Sequence, residues 1–203
     1  MSTKFLNQAY GISTLDSREL YTAWSDSYDQ EVHENGYVTP LRVAEALDRH
    51  VLDKNSTVLD YGCGTGLSGQ ALLKVGFQAV DGVDVTAAMV DLAREKGIYR
   101  NLDVFSPEDR PNIAAGTYSV IAAIGVIGAG AAPLSVFDTI MDLLPTGGYF
   151  AFSFNDHTLE DPAYENKVLE YTQMKRAQLV FCEYGAHLPG KDMKSNVYIL
   201  VKK

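Results

Sequence analysis

The strongest chemical signal in the sequence is the run Val58-Leu-Asp-Tyr-Gly-Cys-Gly-Thr-Gly66, a short apolar stretch feeding a GxGxG turn, with a helical pattern from Leu67. Glycines at 62, 64 and 66 permit a tight turn and let a ligand reach the backbone without striking a Cβ, and the third eases close helix packing. Asp84 ends the next strand-like run, 24 residues after Asp60, where a carboxylate can accept both hydroxyls of a ribose. Asp60 stands just before the turn, and two roles are open to it: receiving a ligand's ammonium group, or ordering the turn through backbone N–H groups. Two rival nucleotide patterns fail. The dinucleotide form needs GxGxxG, but the sixth position from Gly62 is Leu67, and no Gly-Lys followed by Ser or Thr exists for a GxxxxGK[ST] phosphate loop.

The four histidines, at 33, 50, 157 and 187, show no HxxxH or HExxH spacing, so no metal is expected. His50 ends a helical pattern, where an imidazole can meet terminal carbonyls. His157 follows a strand-like run and falls at the carboxyl edge where open sheets bind ligands, and His187 lies in a loop able to reach the same mouth. Either can contact substrate or simply close a loop hydrogen bond. Cys63 and Cys182 have no CxxC partner, which argues against a disulfide framework or a structural zinc site and for a reducing compartment.

The elements that must position these residues follow from periodicity. Leu20, Tyr21, Trp24 and Tyr28 form the stripe of a helix from Ser17 to about Gln30, with Trp24 on its packing face. A second helix opens at Thr39-Pro40, with Thr39 as its cap, and runs through Val43, Ala44 and Leu47. Strands are then predicted over 57–60, 79–84, 98–104, 118–124 and 148–154, alternating with helices over 67–74, after Thr86, and over 134–144. That alternation predicts a parallel sheet covered on both faces. A last helix over 163–178, with Leu169 and Met174 on its apolar side, precedes two runs, 179–184 and 196–201, joined without room for a crossover helix; these pair antiparallel, and Cys182 reads as strand core.

In 203 residues, 46% of them apolar, the chain has enough material for a core without staples. It is expected to form a single domain over 1–203, with a helical cap over 1–50 and a ligand-binding core over 55–203. Seventeen Lys plus Arg against twenty-six Asp plus Glu give a formal charge of -9, which repels phosphate backbones and anionic lipid and makes nucleic acid and membranes poor partners. The apolar stretch over 118–133 is interrupted by glycines and falls short of the ~20 residues that span a bilayer, so a cytoplasmic location is expected.

Taken together, Val58 to Gly66, Asp84, the fourth-strand segment over 118–125 and the turn Leu144-Pro-Thr-Gly-Gly148 resemble the class I S-adenosylmethionine-dependent methyltransferases. The resemblance covers about 58–154, and Thr146 is a departure in an otherwise familiar turn. It implies an α/β, Rossmann-like three-layer sandwich with a seven-stranded, mostly parallel sheet whose last two strands form an antiparallel pair. Within that superfamily, Gly82-Val-Asp84, the segment over 93–99 and Leu188-Pro-Gly190 look most like small methyltransferase-like proteins of the Williams-Beuren region type.

The resemblance implies S-adenosyl-L-methionine as cofactor. Its binding set would be Asp60, Gly62, Cys63 and Gly64 at the methionine end, Asp84 and Val85 at the ribose, Asp103 and Val104 at the adenine, and Ile124 on the fourth strand. Tyr28 or Tyr37 would cover the methionine end from the N-terminal helices, and Met89 would lie against the adenine, although its spacing with Leu92 equally fits a buried stripe. No Asn-Pro-Pro-Tyr or Asp-Pro-Pro-Tyr segment and no Pro-Cys pair marks a nucleic-acid base methylase. The function expected is methyl transfer to a small-molecule acceptor, with a protein or peptide methyltransferase or a non-catalytic binding protein as alternatives. His157, His187 or Glu183 is the candidate base if the acceptor must lose a proton, a histidine being the easier choice because it titrates near neutrality. Oligomeric state is not legible.

Overall fold

The computed structural model describes residues 5–6 and 17–203. Two helices, α1 (Ser17–Glu34) and α2 (Thr39–His50), precede the first strand. The chain then alternates β1 (Thr57–Tyr61), α3 (Leu67–Lys74), β2 (Ala79–Asp84), α4 (Ala87–Glu95), β3 (Leu102–Val104), β4 (Val120–Ala123), α5 (Ser135–Leu143) and β5 (Tyr149–Asn155). It closes with α6 (Asp156–Leu159), α7 (Pro162–Gln173), β6 (Ala177–Leu188), a 3-10 turn (Pro189–Lys191) and β7 (Met193–Lys202). The seven strands lie in the order β3-β2-β1-β4-β5-β7-β6. The β3-β2-β1-β4-β5 pairings are parallel, and β7 is antiparallel to both β5 and β6. This is the Rossmann-like three-layer sandwich.

Period-two alternation sorts the strand residues onto two faces. Leu59, Ile121, Phe150, Phe152 and Phe154 point to one face and meet Phe137 and Ile140 of α5 and Val168 and Tyr171 of α7. Val58, Val120, Ala122, Ala151 and Ile199 point to the other, where Val43 and Leu47 of α2 and Leu72 of α3 cover them. Every residue of β4 is buried, as expected of a strand covered on both sides. Large rings on one face oppose small residues on the other: Phe137 sits 5.1 Å from Phe150 and 5.3 Å from Phe152, edge to face. Each such buried ring contributes roughly 1.5–3 kcal/mol through the area it removes from water.

Several local expectations are corrected. Val38, not Thr39, is the N-cap of α2; the Thr39 hydroxyl is buried and bonds instead to His187 Nδ1 at 2.8 Å and Ser195 Oγ at 3.2 Å. The last helix ends at Gln173, and its buried face is Tyr164, Val168 and Tyr171, leaving Leu169 and Met174 exposed. Asp161 starts it by accepting a bond from Ala163 N, so the register is set one residue before the apolar pattern begins. Cys182 is exposed because β6 is the sheet's outer strand. The terminal hairpin is longer than its apolar runs, since ladder hydrogen bonds continue through polar residues on the exposed side. Among the described residues, no helix is long and apolar enough to cross a membrane.

Candidate active site

The GxGxG turn leaves β1 with Gly62, Gly64 and Gly66 all in left-handed backbone, at φ 76°, 52° and 96°. Gly62 N and Cys63 N both donate to Val83 O, at 2.8 and 3.0 Å, which pins the turn to the end of β2. Two of the glycines are needed for different reasons. A Cβ on Gly62 would lie 2.5 Å from Val126 Cγ2, whereas a Cβ on Gly64 would meet no protein atom within 4 Å. Gly64 lines a cavity of about 800 Å³ at the carboxyl ends of β1, β2 and β4. Asp84 closes the same corner: its carboxylate accepts from Gly64 N at 2.9 Å and from Thr86 N at 2.8 Å. Burial raises its pKa, against the lowering effect of those N–H bonds.

Nine of the expected residues line this cavity: Tyr28, Tyr37, Gly62, Cys63, Gly64, Asp84, Val85, Met89 and Ile124. Met89 is also buried in its helix, so its two sequence readings coexist. Asp60 lies behind the turn rather than in the lining. It is fully buried, and its Oδ2 accepts hydroxyl bonds from Ser68 at 2.5 Å and Tyr99 at 2.6 Å, while Oδ1 has no partner. These bonds tie β1 to the first turn of α3 and to Tyr99. Desolvation pushes the Asp60 carboxyl up to about 6, with the two hydroxyls pulling the other way.

Asp103 and Val104 are exposed and lie outside the lining, and Phe105, one residue further, forms the wall there. His157 sits in α6, partly exposed, with Nδ1 3.7 Å from Glu160, and does not line the cavity. His187 is not in a loop but near the end of β6, buried, with its ring 5.1 Å from Tyr37. Burial pulls its pKa down to about 4, so the near-neutral titration expected of a base is absent from this imidazole. His50 Nδ1 meets Ala46 O at 2.8 Å at the end of α2.

The sequence reading missed Tyr21, Phe105 and the Asp29 contacts. Asp29 in α1 accepts from Thr65 of the glycine turn and from Lys96 after α4, each at 2.5 Å, which fastens α1 over the cavity. Tyr21 had a signal, because it shares the stripe with Trp24 and Tyr28. Asp29 had none, since its partners are 36 and 67 residues away.

A backbone cradle open at Gly64, beside a carboxylate at the end of β2, suits a nucleoside ligand. A family model described as a methyltransferase domain matches residues 33–188. The chain therefore belongs to the methyltransferase domain family. Its sequence is 27% identical over 143 residues to human methyltransferase-like protein 27, covering 68% of this chain and 58% of that protein. It is 33% identical over 102 residues to a ribosomal protein L11 methyltransferase of Vibrio vulnificus, covering 48% of this chain and 32% of the relative. The chain thus spans between about a third and somewhat over half of these relatives' lengths. In fold it is similar to a chain of the complex between the Haloferax volcanii Trm112 methyltransferase activator and its methyltransferase, with a TM-score of 0.72 at 16% identity, covering 92% of this chain and 97% of that one.

S-adenosylmethionine, the cofactor expected from the sequence of a methyltransferase-domain chain, would supply when bound an electrophilic methyl group on a positive sulfonium. The residues present fit it: the Gly64 cradle admits close backbone approach, the Asp84 carboxylate lines the cavity at the end of β2, and Met89 and Phe105 offer apolar wall. Such a cavity can align an acceptor with the methyl group, a role that requires no covalent protein chemistry.

Proposed function

We propose that this chain methylates a side chain of a protein or peptide. Support comes from relatives named as ribosomal protein L11 methyltransferases and from the rim of the cavity, where exposed Glu108 and Asp109 stand beside Arg18 while Arg110 is paired with Asp142 at 3.1 Å. A chain of formal charge -9 whose cavity rim carries the exposed carboxylates of Glu108 and Asp109 suits a basic polypeptide segment. This reading corrects the expectation of a small-molecule acceptor with no nucleic-acid partner, which similar proteins named for ribosomal-protein and RNA methylation overturn. That expectation leaned on net charge, which averages over a whole surface and carries little about one mouth.

The cofactor set proposed is the nine lining residues with Asp60 behind them. The helices over 17–50 act as cap on the core over 55–203 in one domain, residues 1–4 and 7–16 of the expected cap lying outside the described residues, and a cytoplasmic setting suits two free thiols, Cys63 and Cys182. The test is incubation with isotopically labelled methyl donor and a fractionated cell extract. Label in the protein fraction is expected. Label confined to metabolites or to RNA overturns the protein acceptor.

A further inference from the structure

A second, smaller pocket of about 30 Å³ shares the walls Tyr21, Tyr28, Tyr37 and Gly125 with the main cavity and extends beneath α1 toward the carboxyl end of β5. Its volume is room for roughly two water molecules, about the size of a three-atom side-chain tip. Its polar lining comes from Trp24, Ser153, Asn155, Thr158 and His187 together with the shared tyrosines, and no Asp, Glu, Lys or Arg is among the residues around it. Trp24 is 2% exposed, and its indole Nε1 has no hydrogen-bond partner. Such an orphaned buried donor costs about 1–3 kcal/mol, which is recovered when an acceptor atom reaches it. Asn155 Oδ1 is occupied by Thr158 N at 2.9 Å, so the amide group has its nitrogen to offer as a second donor.

We propose that this side pocket is a specificity subsite that seats an uncharged carboxamide, the tip of a glutamine or asparagine of the acceptor protein. The assignment rests on the protein-acceptor reading above. A carboxamide matches the pocket in size and brings a carbonyl oxygen for donors at Trp24 and Asn155. An ammonium or guanidinium tip would be stripped of water there without a counter-charge, and so would a carboxylate. Since His187 is neutral at physiological pH, it does not alter that balance.

Trp24 is the only tryptophan in the chain, so its emission reports on this pocket. The experiment titrates propionamide, propylammonium and propionate into the protein saturated with S-adenosylhomocysteine and follows that emission. Propionamide is expected to give a saturable shift at a concentration about tenfold below either charged analogue. No saturable shift with propionamide, or equal midpoints for all three, overturns the subsite. Asn155→Asp keeps the cap on Thr158 N, because Asn and Asp cap equally well, while placing a charge in the pocket. It should reverse the order in favour of propylammonium, and an unchanged order in the folded variant also overturns the proposal. Labelled protein in the extract experiment without propionamide binding removes the subsite and leaves the acceptor reading. Propionamide binding with label only outside the protein fraction removes the acceptor-protein part of the assignment.

Discussion

At the scale of single residues, Gly62 and Gly64 share a positive φ but should fail differently. Any L-residue there pays about 1–2 kcal/mol for left-handed backbone. Gly62→Ala adds a collision with Val126, so urea unfolding should show the larger stability loss. Gly64→Ala adds no collision within the protein but fills the cradle, so calorimetry should show loss of S-adenosylmethionine affinity beyond its stability loss, and beyond that of Cys63→Ala. Equal affinities for the Gly64 and Cys63 variants would contradict this placement of the turn. Asp84→Ala is expected to weaken cofactor binding by about 1.5–3 kcal/mol, the range for hydrogen bonds to a charged acceptor. Calorimetry on a folded variant with unchanged affinity would remove that role.

Two buried groups make opposite demands on pH. Asp60 has a folded-state pKa raised from 3.8 to about 6, so its contribution to stability is full below pH 3.8 and is lost as pH rises to about 6. His187 has a folded-state pKa lowered from 6.5 to about 4, so its contribution is full above pH 6.5 and is lost as pH falls toward 4. Each shift corresponds to about 3 kcal/mol, and the two slopes largely cancel. Urea unfolding between pH 4 and 7 should therefore show His187→Gln falling in stability with rising pH, and Asp60→Asn rising. Parallel profiles for both variants and the parent chain would refute the assignment. The chemical meaning of Asp60 was only half visible in the sequence. Its place before the turn was plain, but Ser68 and Tyr99 reach it only after α3 folds back and the segment following α4 crosses the turn.

At the scale of elements, Asp29 makes two of the polar contacts that hold α1 over the cavity. Asp29→Asn should leave the sheet intact yet lower hydrogen-exchange protection in α1, with a several-fold loss of cofactor affinity because the lid no longer aligns with Thr65. Unchanged protection in α1 would show that the Trp24 and Leu188 packing alone holds it. The helix itself was legible from its aromatic stripe, and so were β1, β2 and β5 from their apolar runs. Helix α7 shows the limit. Leu169 and Met174 satisfy an apolar spacing, but Tyr164, Val168 and Tyr171 form another, and contact with Phe137 and Phe154 selects it.

For the whole molecule, cofactor binding should raise stability by mass action, about 2.7 kcal/mol at a hundredfold excess over Kd. In a chain of this size that is a rise in Tm of roughly 5–10 °C, read by thermal unfolding with and without ligand. No shift at saturating S-adenosylmethionine would separate this chain from its family's cofactor. The sequence by itself determined the layered α/β plan, the glycine turn and Asp84, because these are local patterns: apolar runs of strand length, glycines at fixed offsets and an acid at a strand's end. Only the tertiary structure decided that Val104 turns outward while Phe105 forms the wall, that His187 is buried against Thr39 and so loses its near-neutral titration, and that Trp24 stands at a neutral side pocket. These depend on contacts between distant segments, Thr39 and His187 lying 148 residues apart, and burial, which sets a group's charge and hydrogen-bonding partners, is a property of those contacts and not of spacing along the chain.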